Sequence, residues 1–570
     1  MTSDTSPGNE RRYGTLFLGL VVLVWIACVA VAITHQGTWL DETTYVIKSW
    51  WYVSGKVEPY SPSDPTAYLP LHFFSLGAWQ WLFGHDLIIA RMWPVTLTAI
   101  NIVLVTLLLR RLGAGVWAMG FASMLLVLSE ESIFYFTSAT PYATAVFLQM
   151  LTFHILVRVG ERPTILQAIS LAVTLTLVYL LRIDLFIFIA LIFGTLIYRC
   201  GWRSLPVFAA AAVVCAATWT SLALLWGREF IHYSLALPGL SHALIKLGII
   251  PDFYPYATQF ASYLNYDPPR SIIGILASAL RLEIFLDWTA THHISAVVGA
   301  GLATIVAYKN PTQRRGWMAY FAAVYWSGLA YYIFAGQLQC AICVQAYANY
   351  IDYLGALAGG LAFQVCTERE AGRGRRELVR FRKIAITVAL AAVALQVLRL
   401  HGSLRLPSAF REPALPPQVR LVADAVRGLV PPGDEVAVVG VDNRILLGLS
   451  TAGVRFPPVN IGLYSHYRLI QAGISPEQVR GVDSDVEAMG SFTDATARKW
   501  MERDFNWLLV QEEPQPAAVT PWNPSSPLVL GGLSRCFTKN RTIPVSGTVP
   551  ALRFSLYRRT ASGPTCAPVS

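Results

Sequence analysis

The sequence predicts a polytopic α-helical membrane protein of about eleven transmembrane helices, followed by an extracytoplasmic α/β domain. Three observations predict it. Hydrophobic residues make up 54% of the 570 residues and charged residues only 14%, where a soluble domain carries about 25%. The apolar residues gather in long runs, beginning with the uncharged Gly14 to Ile33, and a bilayer core asks for about 20 such residues in a helix. The basic residues fall between the runs, in clusters that a single topology places on one side.

The clusters are Arg11-Arg12, Arg110-Arg111, Arg158 to Arg162, Arg199 to Arg203, Lys309 to Arg315 and Arg369 to Lys383. With the N-terminus cytoplasmic, helices are expected at about 14–33, 87–109, 114–129, 141–157, 164–181, 183–198, 205–225, 293–308, 317–334, 347–365 and 384–399. The first run could be a cleaved signal peptide. Its apolar stretch is too long for one, and no small-x-small cleavage site follows it. The net charge of +10 could suit nucleic acid, but its division among the loops points to the bilayer and against a nucleic-acid partner.

Residues 1–400 form the expected transmembrane domain, with two long outer loops at 35–86 and 226–291. Glu42 to Gly55 and Leu71 to Gly84 are rich in Trp and Tyr and read as short interfacial helices, with Ser271 to Trp288 as a third. Residues 401–570 change character: charges scatter and proline is frequent. Val436 to Val441, Trp507 to Val510 and Ala551 to Arg558 read as strands, the last antiparallel. Pro417 to Leu429 and Asp494 to Arg503 read as amphipathic helices. A Cys536–Cys566 disulfide is expected there, since the compartment permits it, and Cys340-x-x-Cys343 is a local disulfide or two free thiols.

The candidate chemistry begins at Asp41-Glu42, directly after the first helix. Two carboxylates beside Trp39, Tyr45, Trp50 and Trp51, in a loop poor in other charge, are costly at an interface unless used or paired. Tyr68 to His72 and Arg91, near the outer end of the second helix, come next. Arg91 either snorkels or binds an anion at headgroup depth. Tyr142 opens the fourth helix. Arg182 and Asp184 lie at one outer turn, where an ion pair between them is the structural reading. Asp352 lies at the outer end of the tenth helix, and an intramembrane acid is a functional candidate by default.

In their order and placement these residues resemble the GT-C superfamily of polyprenyl-phosphate-sugar glycosyltransferases, which includes protein O-mannosyltransferases and lipid A aminoarabinose transferases. The resemblance runs over about residues 14–400 and rests on Asp41-Glu42, Leu69-Pro70-Leu71-His72, Phe83-Gly84, Ala90-Arg91 and Thr140-Pro141-Tyr142. The chain departs from the family where Tyr68 and Thr140 replace basic residues and Asn349-Tyr350 stands in place of Arg-Tyr. Lys48, Arg91, Arg182 or Arg270 would then supply the charge for the donor phosphate.

The resemblance implies transfer of a sugar from a polyprenyl monophosphate to a hydroxyl of a glycan, lipid or protein outside the cytoplasm, with inversion. Asp41 would be the general base and Glu42 would orient it or bind the acceptor. Tyr45, Tyr68, His72, Tyr142, Asp184 and Asp352 would line the pocket. No cofactor is required, and a divalent metal is permitted. A pyrophosphate-using oligosaccharyltransferase or ligase would need a Trp-Trp-Asp-type motif that the sequence lacks. A transporter of lipid-linked sugars would be expected to show internal repeats, which are not seen. A non-catalytic scaffold is the third alternative.

Overall fold

The computed structural model describes residues 7–38, 40–59, 70–182, 185–235, 293–309, 316–338, 347–367, 387, 415–439, 443–456, 505–512, 537–545 and 552–560. These fall into two compact units. One comprises Met1–Thr34, Arg91–Leu225 and Ile231–Arg411, and the other His35–Ala90, Trp226–Phe230 and Glu412–Ser570. The expected eleventh helix, the Asp494 to Arg503 helix, the Ser271 to Trp288 segment and Cys340, Cys343, Cys536 and Cys566 lie outside the described residues.

Long apolar helices dominate the first unit. α1 (Pro7–His35) and α4 (Leu87–Arg111) are each long and apolar enough to cross a bilayer. So is the stretch Phe186–Trp226. It comprises α9 (Phe186–Cys200), a 3₁₀ turn (Gly201–Ser204) and most of α10 (Leu205–Leu235). Gly201 makes the break with a φ of 56°, which a side chain would resist. Leu16, Leu20, Leu23, Val213 and Leu224 stand exposed along α1 and α10. So much uncovered apolar surface marks a membrane face. The chain is a multi-pass membrane protein.

α5 (Val116–Val127), α6 (Glu130–Thr137), α7 (Tyr142–Leu156), α8 (Ile165–Leu181), α11 (Ile294–Lys309), α12 (Trp317–Leu338) and α13 (Asp352–Thr367) complete the unit. Thr164 and Gln167 close a reciprocal capping box at the start of α8, satisfying two otherwise unpaired N–H groups. The core is α13, buried from Asp352 to Phe363 and packed against α5, α11 and α12. A helix apolar on every side belongs inside such a bundle. Small residues let α11 and α13 touch backbone to backbone. A Cβ on Gly355 would stand 2.3 Å from the Ala296 carbonyl oxygen, and one on Gly299 2.3 Å from that of Gly355.

The second unit joins a helical hairpin to the α/β fold of the C-terminal residues. α2 (Leu40–Val53) and α3 (Leu71–Phe83) are the two aromatic-rich segments expected to be helical. Gly77 lets them close. A Cβ there would lie 2.4 Å from the Ser49 carbonyl oxygen. The Gln80 amide adds a 3.1 Å hydrogen bond to the Val46 carbonyl.

The C-terminal elements are α14 (Pro417–Leu429), β1 (Val436–Val439), α15 (Asn443–Thr451), β2 (Trp507–Glu512), β3 (Phe537–Val545) and β4 (Leu552–Arg559). The sheet order is β1-β2-β4-β3. β1 and β2 run parallel and the other pairs antiparallel. The three expected strands and the α14 helix are present. β3 and α15 are additions. β3 carries an exposed polar run from Thr538 to Thr542 and contains Pro544, which suits its place at the sheet edge.

α2 also packs on α15. Trp51 meets Phe456 edge to face at 5.8 Å, and the Lys56 ammonium donates to the Phe456 carbonyl. Burial pulls the Lys56 ammonium down to about 8, against an upward pull from Glu435.

Candidate active site

The acidic pair occupies the first turn of α2. Negative charge is favourable there, because the helix dipole and the unpaired N–H groups point that way. The Asp41 side chain is outside the described residues. Its position is one turn before Tyr45 and two before Lys48, on one face of the helix. Glu42 is fully buried. His72, in the first turn of α3, meets Tyr45 edge-on at 5.1 Å and is itself buried.

Tyr45 also packs on Phe73 at 5.1 Å. Lys48 is 3% exposed, and its ammonium sits 5.5 Å from the Phe73 ring centroid and 5.6 Å from that of Tyr52. Ring faces compensate part of the desolvation a buried ammonium suffers. The hairpin thus gathers Glu42, Tyr45, Lys48 and His72, a carboxylate, an ammonium and an imidazole among aromatic rings, with Asp41 at the adjoining position of the first turn of α2. Such a set can take a proton from a hydroxyl and hold an anion.

His85 locks the far end of the hairpin. Its ring stacks on Trp50 at 4.8 Å and 8°. The Gln80 amide nitrogen is committed to Val46, so the Gln80 oxygen accepts from His85 Nδ1 at 2.6 Å. In the neutral ring Nε2 then accepts from the Ser450 hydroxyl, 2.7 Å away. Burial pushes the His85 imidazole down to about 4.

The helical unit holds the other described candidates. Arg91 is fully buried one turn into α4, so it does not snorkel. Its guanidinium donates to the carbonyls of Ile33 at 3.0 Å and Ala32 at 3.5 Å. These are among the last four carbonyls of α1, which no helical N–H can reach. A cation there also meets the negative end of the helix dipole. The geometry gives Arg91 a structural task at the end of α1.

Arg182 ends α8 in extended conformation. Its guanidinium lies 5.0 Å from the Tyr347 ring centroid and 5.4 Å from that of Tyr350. Tyr350 in turn stacks on Tyr142 at 4.6 Å and 25°. Arg182 and Tyr142 are therefore joined through Tyr350. Asp352 accepts a 2.7 Å hydrogen bond from His293 Nδ1. The sequence reading passed over His293. The signal was a His292-His293 pair directly before an apolar run.

Tyr68, Asp184 and Arg270 lie outside the described residues. Among the described residues, no group of three His, Cys, Asp or Glu could hold a metal ion. Asp483-Ser484-Asp485, an Asp-x-Asp pattern in the expected outer domain, is also outside them.

No protein-family model matches the chain, and no curated protein matches it. Among solved structures, it is similar to ArnT from Cupriavidus metallidurans bound to undecaprenyl phosphate. The TM-score is 0.53 at 12% identity, over 98% of this chain and 99% of that one. Apo ArnT from the same organism matches at a TM-score of 0.43 and 11% identity, over 95% and 97%. The mycobacterial arabinofuranosyltransferase AftD matches at 0.46 and 15% identity, over 97% of this chain and 42% of that one. At such identity the first match speaks to fold. The chain has an ArnT-like fold over nearly its full length.

Proposed function

We propose that the protein is a GT-C-type glycosyltransferase that moves a sugar from a polyprenyl monophosphate to a hydroxyl acceptor outside the cytoplasm. The observation that carries this reading is the ArnT-like fold along the whole chain, since the ArnT in question binds undecaprenyl phosphate. The acidic first turn of α2 supports it, as does the basic-cluster pattern that puts the N-terminus inside and the C-terminal domain outside.

The acceptor oxygen attacks the anomeric carbon as the bond to the phosphate oxygen breaks. That electron pair leaves with the polyprenyl phosphate, and the configuration inverts. The leaving group is already acidic and needs positive charge rather than a proton. Lys48 supplies that charge on the hairpin, with Arg182 and Arg270 as further candidate phosphate cations. The hydroxyl proton passes to Asp41 as the new bond forms. Glu42 orients Asp41 or binds the acceptor, and Tyr45 and His72 wall the pocket.

The test is transfer by purified protein in nanodiscs, supplied with labelled polyprenyl-phosphate sugars and a cell-envelope extract as acceptor. Asp41→Asn keeps the shape and removes the base. Turnover should fall by about 10²-fold or more while donor binding stays near normal. Near-normal transfer by that variant would remove Asp41 from the mechanism. A protein that transfers no sugar from any such donor would remove the reaction. A reporter active only outside the cytoplasm should work when fused after residue 400 and fail after Arg111.

A further inference from the structure

Between the C-terminal ends of α4 and α7 and the first half of α8, the helical unit contains a groove of about 950 Å³. α7 is its floor. Leu151, His154 and Ile155 contribute from positions three and four apart, which is one helical face, and Arg158 follows from the turn just past the helix. α4 is pinned to this floor. His154 Nε2 donates to the Leu104 carbonyl at 2.9 Å, and the Arg111 guanidinium donates to the His154 carbonyl at 3.4 Å. α8 packs along the other side of α7.

The groove is divided chemically along its length. Leu107, Ile169 and Val173 are 48%, 46% and 40% exposed and give apolar walls. Arg110, Arg111 and Arg158 stand at the mouth, with no acidic residue in the lining. Glu161, three residues past Arg158, is paired with Arg203 at 3.4 Å. Among the described residues neither Arg110 nor Arg158 has an ion-pair partner.

We propose that this groove binds one anionic phospholipid of the surrounding bilayer, with its phosphate at Arg110 and Arg158 and an acyl chain along Leu107, Ile169 and Val173. Two exposed arginines without acidic partners beside the groove offer an anion two adjacent positive charges. An open apolar channel below them needs a chain. A phospholipid joins the two with the right polarity, and basic pockets between transmembrane helices recognise headgroups in this way. The site uses none of the residues assigned to sugar transfer.

Native mass spectrometry tests this on the full chain in nanodiscs of mixed phosphatidylglycerol and phosphatidylcholine. The wild type should retain one phosphatidylglycerol in preference to phosphatidylcholine by about tenfold. The double variant Arg110→Gln, Arg158→Gln should lose that preference, as each arginine near a membrane surface favours an anionic lipid several-fold. Val173→Trp, which fills the groove and keeps the charges, should also release the lipid. Equal retention of both lipids by the wild type would overturn the proposal, as would unchanged retention by either variant. Displacement by soluble glycerophosphate alone would also overturn it, since the acyl chain would then contribute nothing.

Discussion

His293 and Asp352 meet at 2.7 Å inside the helical unit, where both are buried. The pair spans 59 residues and joins the start of α11 to the start of α13. It clamps the same two helices that touch through Gly299 and Gly355, so one seam is held by both a polar bond and close packing.

Breaking that clamp from either side should cost about 1–3 kcal/mol, since a buried polar group loses its partner. His293→Ala and Asp352→Ala should each lower the thermal midpoint in detergent. Their double variant should fall short of the sum, as coupled residues do. Additive losses would show that the two side chains act independently.

Gly355→Ala should destabilise the bundle by about 1–3 kcal/mol through overpacking. The added carbon would collide with the Ala296 backbone, which has no rotamer by which to yield. Gly301, with open space beside it, is the control. Gly301→Ala should be neutral or slightly stabilising in the same thermal measurement.

Arg91→Ala should lower stability through loss of the α1 end contacts. A drop of about 1–3 kcal/mol is expected for a buried charged donor that leaves carbonyls unpaired. Thermal unfolding in the absence of any lipid donor measures it. Unchanged stability with weakened donor binding would instead make Arg91 a phosphate ligand.

His85 gives the second unit a dependence on acid. An unfolded chain takes up its proton below about pH 6.5, whereas the folded protein resists until about 4. The unfolded state therefore binds more protons between those values, and stability rises with pH there. The contribution is fully present above pH 6.5 and is lost as the pH falls towards 4. It is of the order of 3 kcal/mol. Hydrogen exchange of α15 should quicken over that window and should do so less in His85→Gln. Protection that stays constant from pH 7 to 4.5 would refute this.

Much of the fold was legible because the signals were long. The uncharged Gly14 to Ile33 run and the apolar Leu87–Arg111 helix are long and apolar enough to cross a bilayer, and Pro417–Leu429 was readable from its amphipathic period. β3 was missed because its unbroken polar run, TKNRT within FTKNRTIPV, reads as loop without a partner strand, and β4 supplies that partner. The candidate site divided along the same line. Asp41-Glu42 stood out by local contrast. His293–Asp352 and Tyr142–Tyr350 depend on residues far apart in the chain, which no local pattern joins. Arg91 was visible as a charge, but its attachment to α1 required the position of a backbone carbonyl.

α2 is a strut loaded at both ends. Its first turn carries Asp41 and Glu42, while Trp50 and Trp51 near its other end bear on His85 and Phe456. Its 14 residues make a rod of about 20 Å, too short to bend appreciably. The acidic turn and the seat of Trp51 on Phe456 are thus two ends of one short helix, so the packing of the C-terminal residues and the placement of the acidic turn share a single backbone.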